Sequence, residues 1–504
     1  MLLSLLIIIP FLSGVFSFFS YRFGANIPRW ISLIGVGSTL LIILKMCLKN
    51  RIFQAQKYPF WNDQLIIPWI PRFGIDFNIA IDGFSLVMLV FSLFLGFVSI
   101  LCAWNEIKRN EGLFYLNLMF LLTGAVGVFI AIDLFLFFFF WEMMLIPTYF
   151  LIMLWGKKKD NKKNHIYSAN KFFLYSQLSG LIMLISILGL VFLNYQNTNI
   201  LTFNYNFLLN QTIDEKTEYI LMLGFFLAFA IKMPIVPFHG WLPDAHSASP
   251  VCGSVDLAGI LLKTAPYSLL RYNFTLFPNS TSHFVPVAMF LGIFSLFYGA
   301  WLAFSQTNIK RFIAYSSISH MGLTLIAIYS ANKIALGGAV IQMLSNSVSA
   351  SALCILSGQL YNRLETQDMR KMRGLWTYMY WIPGFILFFS LSNLGIPGTG
   401  NFIGEFLILF GVFQSFPEIS VLSTLVIIFS SIYSLKMIQT ICYGQSQRKF
   451  SMFFLSKYEF FIILLLVLIL IFFGINSNQI LEISCFSINN LYKKFTESVL
   501  TMRL

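Results

Sequence analysis

Apolar residues do not alternate with polar ones along this chain. They come in unbroken runs of about 20, the length of helix that crosses a hydrocarbon layer, joined by short polar connections. A run such as LFLFFFFWEMMLIPTYFLIML, beginning at Leu134, lacks the period-two pattern of a membrane β-barrel strand. The pattern predicts about fourteen transmembrane helices, near residues 2–20, 30–48, 81–104, 113–132, 134–155, 169–194, 218–240, 251–275, 284–305, 309–329, 332–360, 380–412, 417–442 and 457–475. The first run, MLLSLLIIIPFLSGVFSFFS, has no basic start and no small-residue cleavage pattern, so it is read as the first membrane helix. An even number of spans puts both termini on one side. Loops on the other side carry Lys157, Lys158, Lys159, Lys162, Lys163, Lys310, Arg311, Arg363, Arg370, Lys371, Arg373, Arg448, Lys449 and Lys457. By the positive-inside rule that side is cytoplasmic, and both termini are predicted to be periplasmic.

Composition narrows the function classes. Of 504 residues, 58% are hydrophobic and 11% charged, and the mean hydropathy of +0.78 excludes an ordinary soluble domain. The net charge of +13 follows from membrane topology and does not point to nucleic acid. Six cysteines, Cys47, Cys102, Cys252, Cys354, Cys442 and Cys485, lie far apart without a CxxC pair, so no iron–sulfur or structural zinc site is expected. Gly395, Gly398, Gly400 and Gly404 do not have the GxGxxG spacing of a nucleotide loop and mark a helix break instead.

Against this background each ionisable group deep in a run is costly, and therefore a functional candidate. Five stand out: Glu142, Lys232, Lys263, His320 and Glu405. His320 lies ten residues past Lys310, roughly 15 Å along a helix and about half the hydrocarbon thickness. Lys232 is followed at once by Pro234 and Pro237 in IKMPIVPFHGWLPDAHSASP, and Glu405 follows the Pro397 break in GIPGTGNFIGE. A broken helix frees backbone groups that water or side chains must satisfy, giving a polar place for a charge at mid-membrane. Histidine, lysine and glutamate are the side chains a proton path needs.

Their spacing repeats. Lys232 to Glu405 and Lys263 to Lys436 are each 173 residues, and Glu142 to His320 is 178. Within one membrane domain, 1–504, this predicts a first unit at 113–275 and a second at 284–443, flanked by 1–112 and 444–504. Each unit is five helices long, so the second is inverted relative to the first, and each holds one broken helix, the arrangement of many ion-transporting folds. The fold class is thus all-α integral membrane with two inverted five-helix repeats. Structural readings compete at each position: Lys232 and Glu142 as a simple ion pair, Glu405 as a helix-terminus contact, His320 as a satisfied core histidine. His239, Asp244 and His246 are read as local caps rather than a metal site, and Asp133 and Asp256 as helix caps.

The stretches FFFFWEMMLIPTYFLIMLWG, KFFLYSQLSGLIMLI, IKMPIVPFHGWLPDAHS, GSVDLAGILLKTAPYSLLR, TNIKRFIAYSSISHMG and NLGIPGTGNFIGEFLILFG resemble the antiporter-like subunits of bacterial NADH-quinone oxidoreductase, respiratory complex I, in the chain M (subunit 4) branch. The resemblance spans nearly the whole chain. It implies a proton-translocating membrane-arm subunit of the inner (plasma) membrane, surrounded by lipid bilayer, with chains L and N as neighbours. It also implies no cofactor in this chain, with NADH, FMN, iron–sulfur clusters and quinone held by other subunits. By that resemblance Glu142 is the fifth-helix glutamate paired with Lys232 of the broken seventh helix. Lys263 is the eighth-helix link between halves, His320 the tenth-helix histidine, and Glu405 the acid of the broken twelfth helix, where protons leave. Asn346 stands where relatives carry a histidine, implying a water-mediated link between His320 and Glu405. Pro266, one turn after Lys263, is expected to loosen that helix. The chain ends soon after its fourteenth helix, at Met502 to Leu504, so no long lateral helix of the chain L type is expected. A subunit of a multisubunit cation/proton antiporter or of a membrane-bound hydrogenase would share the fold and charges and is the alternative reading.

Overall fold

The structure, a computed structural model, describes residues 2–49, 61–156, 164–209, 211–445 and 454–501. Lys157, Lys158, Lys159, Lys162, Lys163, Arg448, Lys449 and Met502 to Leu504, used above for sidedness and chain end, lie outside the described residues.

The apolar runs fold as predicted into a helical bundle. Its helices are α1 (Leu2–Ser20), α2 (Ile27–Lys49), α3 (Gly83–Glu106), α4 (Glu111–Ile130), α5 (Leu134–Met143), α6 (Leu145–Trp155), α7 (Asn164–Thr198), a short α8 (Tyr205–Leu208), α9 (Glu215–Lys232), α10 (Trp241–Ala248), α11 (Val251–Asp256), α12 (Leu262–Ser268), α13 (Phe274–Leu276), α14 (Pro278–Ser305), α15 (Ile309–Tyr329), α16 (Lys333–Leu364), α17 (Ile382–Asn393), α18 (Gly400–Ser415), α19 (Pro417–Cys442), α20 (Lys457–Ile475) and α21 (Ser477–Thr501). Among the described residues eleven spans are long and apolar enough to cross a membrane. Three further traverses are assembled from shorter pieces: α9 with α10, α11 through α13, and α17 with α18.

The runs predicted at 218–240 and 380–412 are each interrupted, at residues 233–240 and 394–399, where the proline and glycine signals lay. The α11–α13 traverse stays helical through Pro266 but widens into π-helical segments, Leu257–Leu261 and Leu269–Asn273, on either side of α12. A π turn costs hydrogen-bond geometry and recurs at functional sites; here it flanks Lys263. At the centre is α16, whose most apolar window is wholly buried, so a polar group on it left without a partner is costly.

Two elements went unpredicted. Residues 63–81 form an antiparallel hairpin, β1 (Asp63–Ile70) with β2 (Ile75–Ile81), bulged near Pro68 and turned through Gly74 at φ 64°. It is anchored by Asp82, which caps α3 through Ser85 and pairs with Arg271 at 2.5 Å. Arg271 is buried beneath the Trp61 ring. The second is α21, beyond the last apolar run. Ile480, Ser484, Ser487, Ile488 and Leu491 form its buried stripe. It packs where Ile483 O lies so close to Gly83 that a Cβ there would sit 1.9 Å away.

Candidate functional site

All five deep charges are buried or partly buried, and the structure brings them to the two helix breaks and the buried helix between them. Lys232 is the last residue of α9 and is 3% exposed. The break frees backbone groups that α10 and the neighbouring α14 recapture: Trp241 Nε1 of α10 donates to Ile231 O at 2.9 Å, and Ser295 Oγ of α14 accepts from Val236 N at 3.0 Å. Pro234 and Pro237 lie inside this turn and cannot donate a backbone hydrogen. The Lys232 ammonium donates to Trp141 O at 3.4 Å and lies 3.8 Å from the centre of the Trp141 ring.

Glu142, the next residue on the same turn of α5, feels the charge of Lys232, yet its Oε1 is buried with no hydrogen-bond partner. A mutually satisfied ion pair is therefore not what the geometry holds. Gly180 on α7 makes room for this carboxylate: a Cβ there would meet Oε1 at 1.7 Å.

Lys263, 1% exposed, donates from Nζ to Asn346 Oδ1 at 3.3 Å. One turn earlier on α16, Gln342 Nε2 lies 3.3 Å from His320 Nδ1 and donates to Glu405 Oε1 at 3.4 Å. His320 Nδ1 and Glu405 Oε1 are themselves 3.5 Å apart. Asn346 therefore sits against Lys263 and not between His320 and Glu405, which meet directly and through Gln342. That corrects the expectation of a water-mediated gap there. Nor is Glu405 a terminus contact: it is the sixth residue of α18, reaching back to Gly395, where φ is 82° and a Cβ would lie 2.6 Å from Glu405 Oε2. Pro397 lies within that break. Asn401 closes it, donating to Ser392 O at 3.1 Å and Ser349 Oγ at 3.2 Å.

Sequence reasoning missed the polar stripe that joins these groups. Gln342, Ser345, Asn346 and Ser349 recur at the i, i+3, i+4, i+7 spacing of one helix face, and each is buried. That spacing in IQMLSNSVSA was the available signal. It also misplaced Lys310, assigned to a loop but 1% exposed, with Nζ donating to Ser249 O and Ser254 Oγ, both at 2.8 Å. Asn308 caps α15 two residues earlier and so winds Lys310 into the helix. Asp256 is no cap either, being the fully buried last residue of α11. Asp133 is one, accepting from Phe135 N and Leu136 N. His239 packs on Tyr298, Asp244 takes Lys171 at 2.7 Å and also Arg311, and His246 is buried. These three face different neighbours, and no metal-holding group of His, Cys, Asp or Glu occurs among the described residues.

Residues 131–434, more than half the chain and containing all five charges, match the family described as NADH:quinone oxidoreductase/Mrp antiporter, TM. The chain belongs to this antiporter family. Among its relatives, NADH-quinone oxidoreductase subunit M of Buchnera aphidicola subsp. Acyrthosiphon pisum is 63% identical over 505 residues, with 100% of each chain covered. The subunit M of Escherichia coli K12 is 53% identical over 508 residues, again covering 100% of both. A chain of respiratory complex I from Thermus thermophilus superposes with a TM-score of 0.85 at 27% identity, over 98% of this chain and 100% of that one. A chain of the Mrp complex from Dietzia sp. DQ12-45-1b gives 0.82 at 20% identity, over 98% of this chain and 52% of that one, and shows the shared antiporter fold alone.

Proposed function

We propose that this membrane subunit translocates protons in the membrane arm of an NADH-quinone oxidoreductase. In this reading chains L and N are its neighbours, and NADH, FMN, iron–sulfur clusters and quinone are bound by other subunits. The observation that carries the reading is the buried polar face of α16, where Asn346 holds Lys263 and Gln342, one turn earlier, joins His320 and Glu405. Near-full-length identity to chains named subunit M favours complex I over the antiporter and hydrogenase readings, whose fold is the same. Protonation would pass from Glu142 and Lys232 to Lys263, His320 and Glu405, from cytoplasm to periplasm, with both termini periplasmic. The units 113–275 and 284–443 would be its two inverted halves.

Moving one charge against 100 mV costs about 2.3 kcal/mol. Burial strengthens the attraction between Glu142 and Lys232 relative to water, so a change in their separation at the first break would contribute to driving the step. The test is NADH-driven proton uptake together with NADH-quinone reductase rate in inverted vesicles carrying the native chain or Lys232→Ala. Strongly reduced uptake with the complex assembled is the expected result. Unchanged uptake and electron transfer would overturn the relay.

A further inference from the structure

One basic site plays no part in the buried series. Lys436 on α19 is the lag partner of Lys263, but it is exposed near the C-terminal end of its helix, where it donates to Phe304 O at 3.1 Å and lies 3.6 Å from the Phe304 ring centre. The α14 helix ends at Ser305, so this bond caps its last turn. Lysine has three N–H donors. Two remain, and among the described residues no carboxylate pairs with Lys436.

Beside it is a cavity of about 140 Å³ lined by Gln306, Thr307, Arg370, Tyr433, Lys436 and Thr440, among others. Arg370 is largely exposed and held by Asp368 at 3.3 Å. Tyr433 is 1% exposed, and its hydroxyl has no hydrogen-bond partner in the protein. Its ring forms part of the wall of the same cavity as the two cations, while the hydroxyl is buried behind it. Away from the cavity both helices turn strongly apolar to the outside: Phe290, Phe294 and Trp301 on α14, Leu425, Ile428 and Ile432 on α19. A charged, polar pocket at the end of a lipid-facing groove has the amphipathic profile of a phospholipid, and basic pockets between membrane helices bind anionic headgroups.

We propose that Lys436 and Arg370 form a headgroup site for an anionic phospholipid whose acyl chains lie in the groove between α14 and α19. The phosphate would take the two free Lys436 donors, with Arg370 at its rim.

The experiment is photolabelling of the purified, detergent-solubilised native assembly with diazirine-tagged phosphatidylglycerol or phosphatidylcholine, with peptides mapped by mass spectrometry. Phosphatidylglycerol is expected to label α14 and α19 peptides about fivefold more than phosphatidylcholine for each basic group engaged. The excess should vanish in Lys436→Ala combined with Arg370→Ala and persist in Lys436→Arg. Equal labelling by the two lipids in the native protein would overturn the proposal, leaving Lys436 as a helix cap alone. Displacement of the label by millimolar inorganic phosphate would assign the site to a free anion and equally overturn it. The lipid comparison in native protein decides the matter even where a variant fails to assemble.

Discussion

The two broken helices use the same construction to hold opposite charges in different ways. In each, a side chain from the second half-helix reaches back to a carbonyl at the end of the first: Trp241 donates to Ile231 O, and Asn401 to Ser392 O. At the first break the charge ends its half-helix, and Lys232 meets only a backbone oxygen and an aromatic face while Glu142 keeps an unpartnered oxygen. At the second the charge lies within its half-helix, and Glu405 is held in a close triangle with Gln342 and His320. A pair held by one long hydrogen bond and an aromatic face can change its separation at less cost than a fully bonded one. A triangle of mutual donors and acceptors is suited to passing a proton while staying in place. The contrast supports a switch at the first break and a relay at the second.

The largest test of this contrast is charge removal. Lys232→Ala is expected to lower proton uptake by about tenfold or more with assembly retained, and Glu405→Gln should do the same if both breaks serve one path. Uptake surviving either change would separate them. Next comes Gly180→Ala. A methyl where Glu142 Oε1 now sits must push that carboxylate aside, at a cost of about 1–3 kcal/mol, so it should reproduce the loss seen in Glu142→Gln without touching a charge. Normal pumping would show that the position of Glu142 is not critical. Gln342→Ala removes both arms of the triangle, and a several-fold fall in pumping rate is expected, with the first break unaffected as judged by an unchanged Glu142→Gln phenotype in the double variant. Trp241→Phe and Asn401→Ala each lose a bond that closes a break, about 1 kcal/mol, read as a lowered midpoint of thermal unfolding of the purified assembly. The smallest effect is reserved for Asn346→His. Because a neutral histidine at position 346 can still accept from the Lys263 ammonium, and position 346 does not lie at the His320–Glu405 contact, pumping should change by no more than about twofold; a large gain would place position 346 between His320 and Glu405.

The bundle and its two breaks were legible because hydropathy is a property of each segment alone, and proline and glycine interrupt a helix wherever they fall. The hairpin at 63–81 was not, since its strands are shorter than a span and it is tied down by residues far apart in sequence, through Ile132 N to Asn78 O, Phe203 N to Gly74 O and the adjoining Asp82–Arg271 pair. α21 was missed for a related reason: its buried stripe includes Ser484 and Ser487, and gains its meaning only against α3, α14 and α16. Lys310 shows the limit in one residue. Three positions from a polar connection it reads as a loop charge, but a cap at Asn308 turns it inward onto Ser249 and Ser254.

The sequence by itself determined that this protein spans a membrane, where its helices break, and which ionisable side chains would be too costly to keep there without purpose, because solvation cost is local to the residue. Only the tertiary structure decided who meets whom. The placing of Asn346 against Lys263, the Gln342 bridge, the room Gly180 leaves for Glu142, and the exposure of Lys436 against the burial of its lag partner Lys263 all depend on contacts between helices, and those are fixed by packing across the whole bundle.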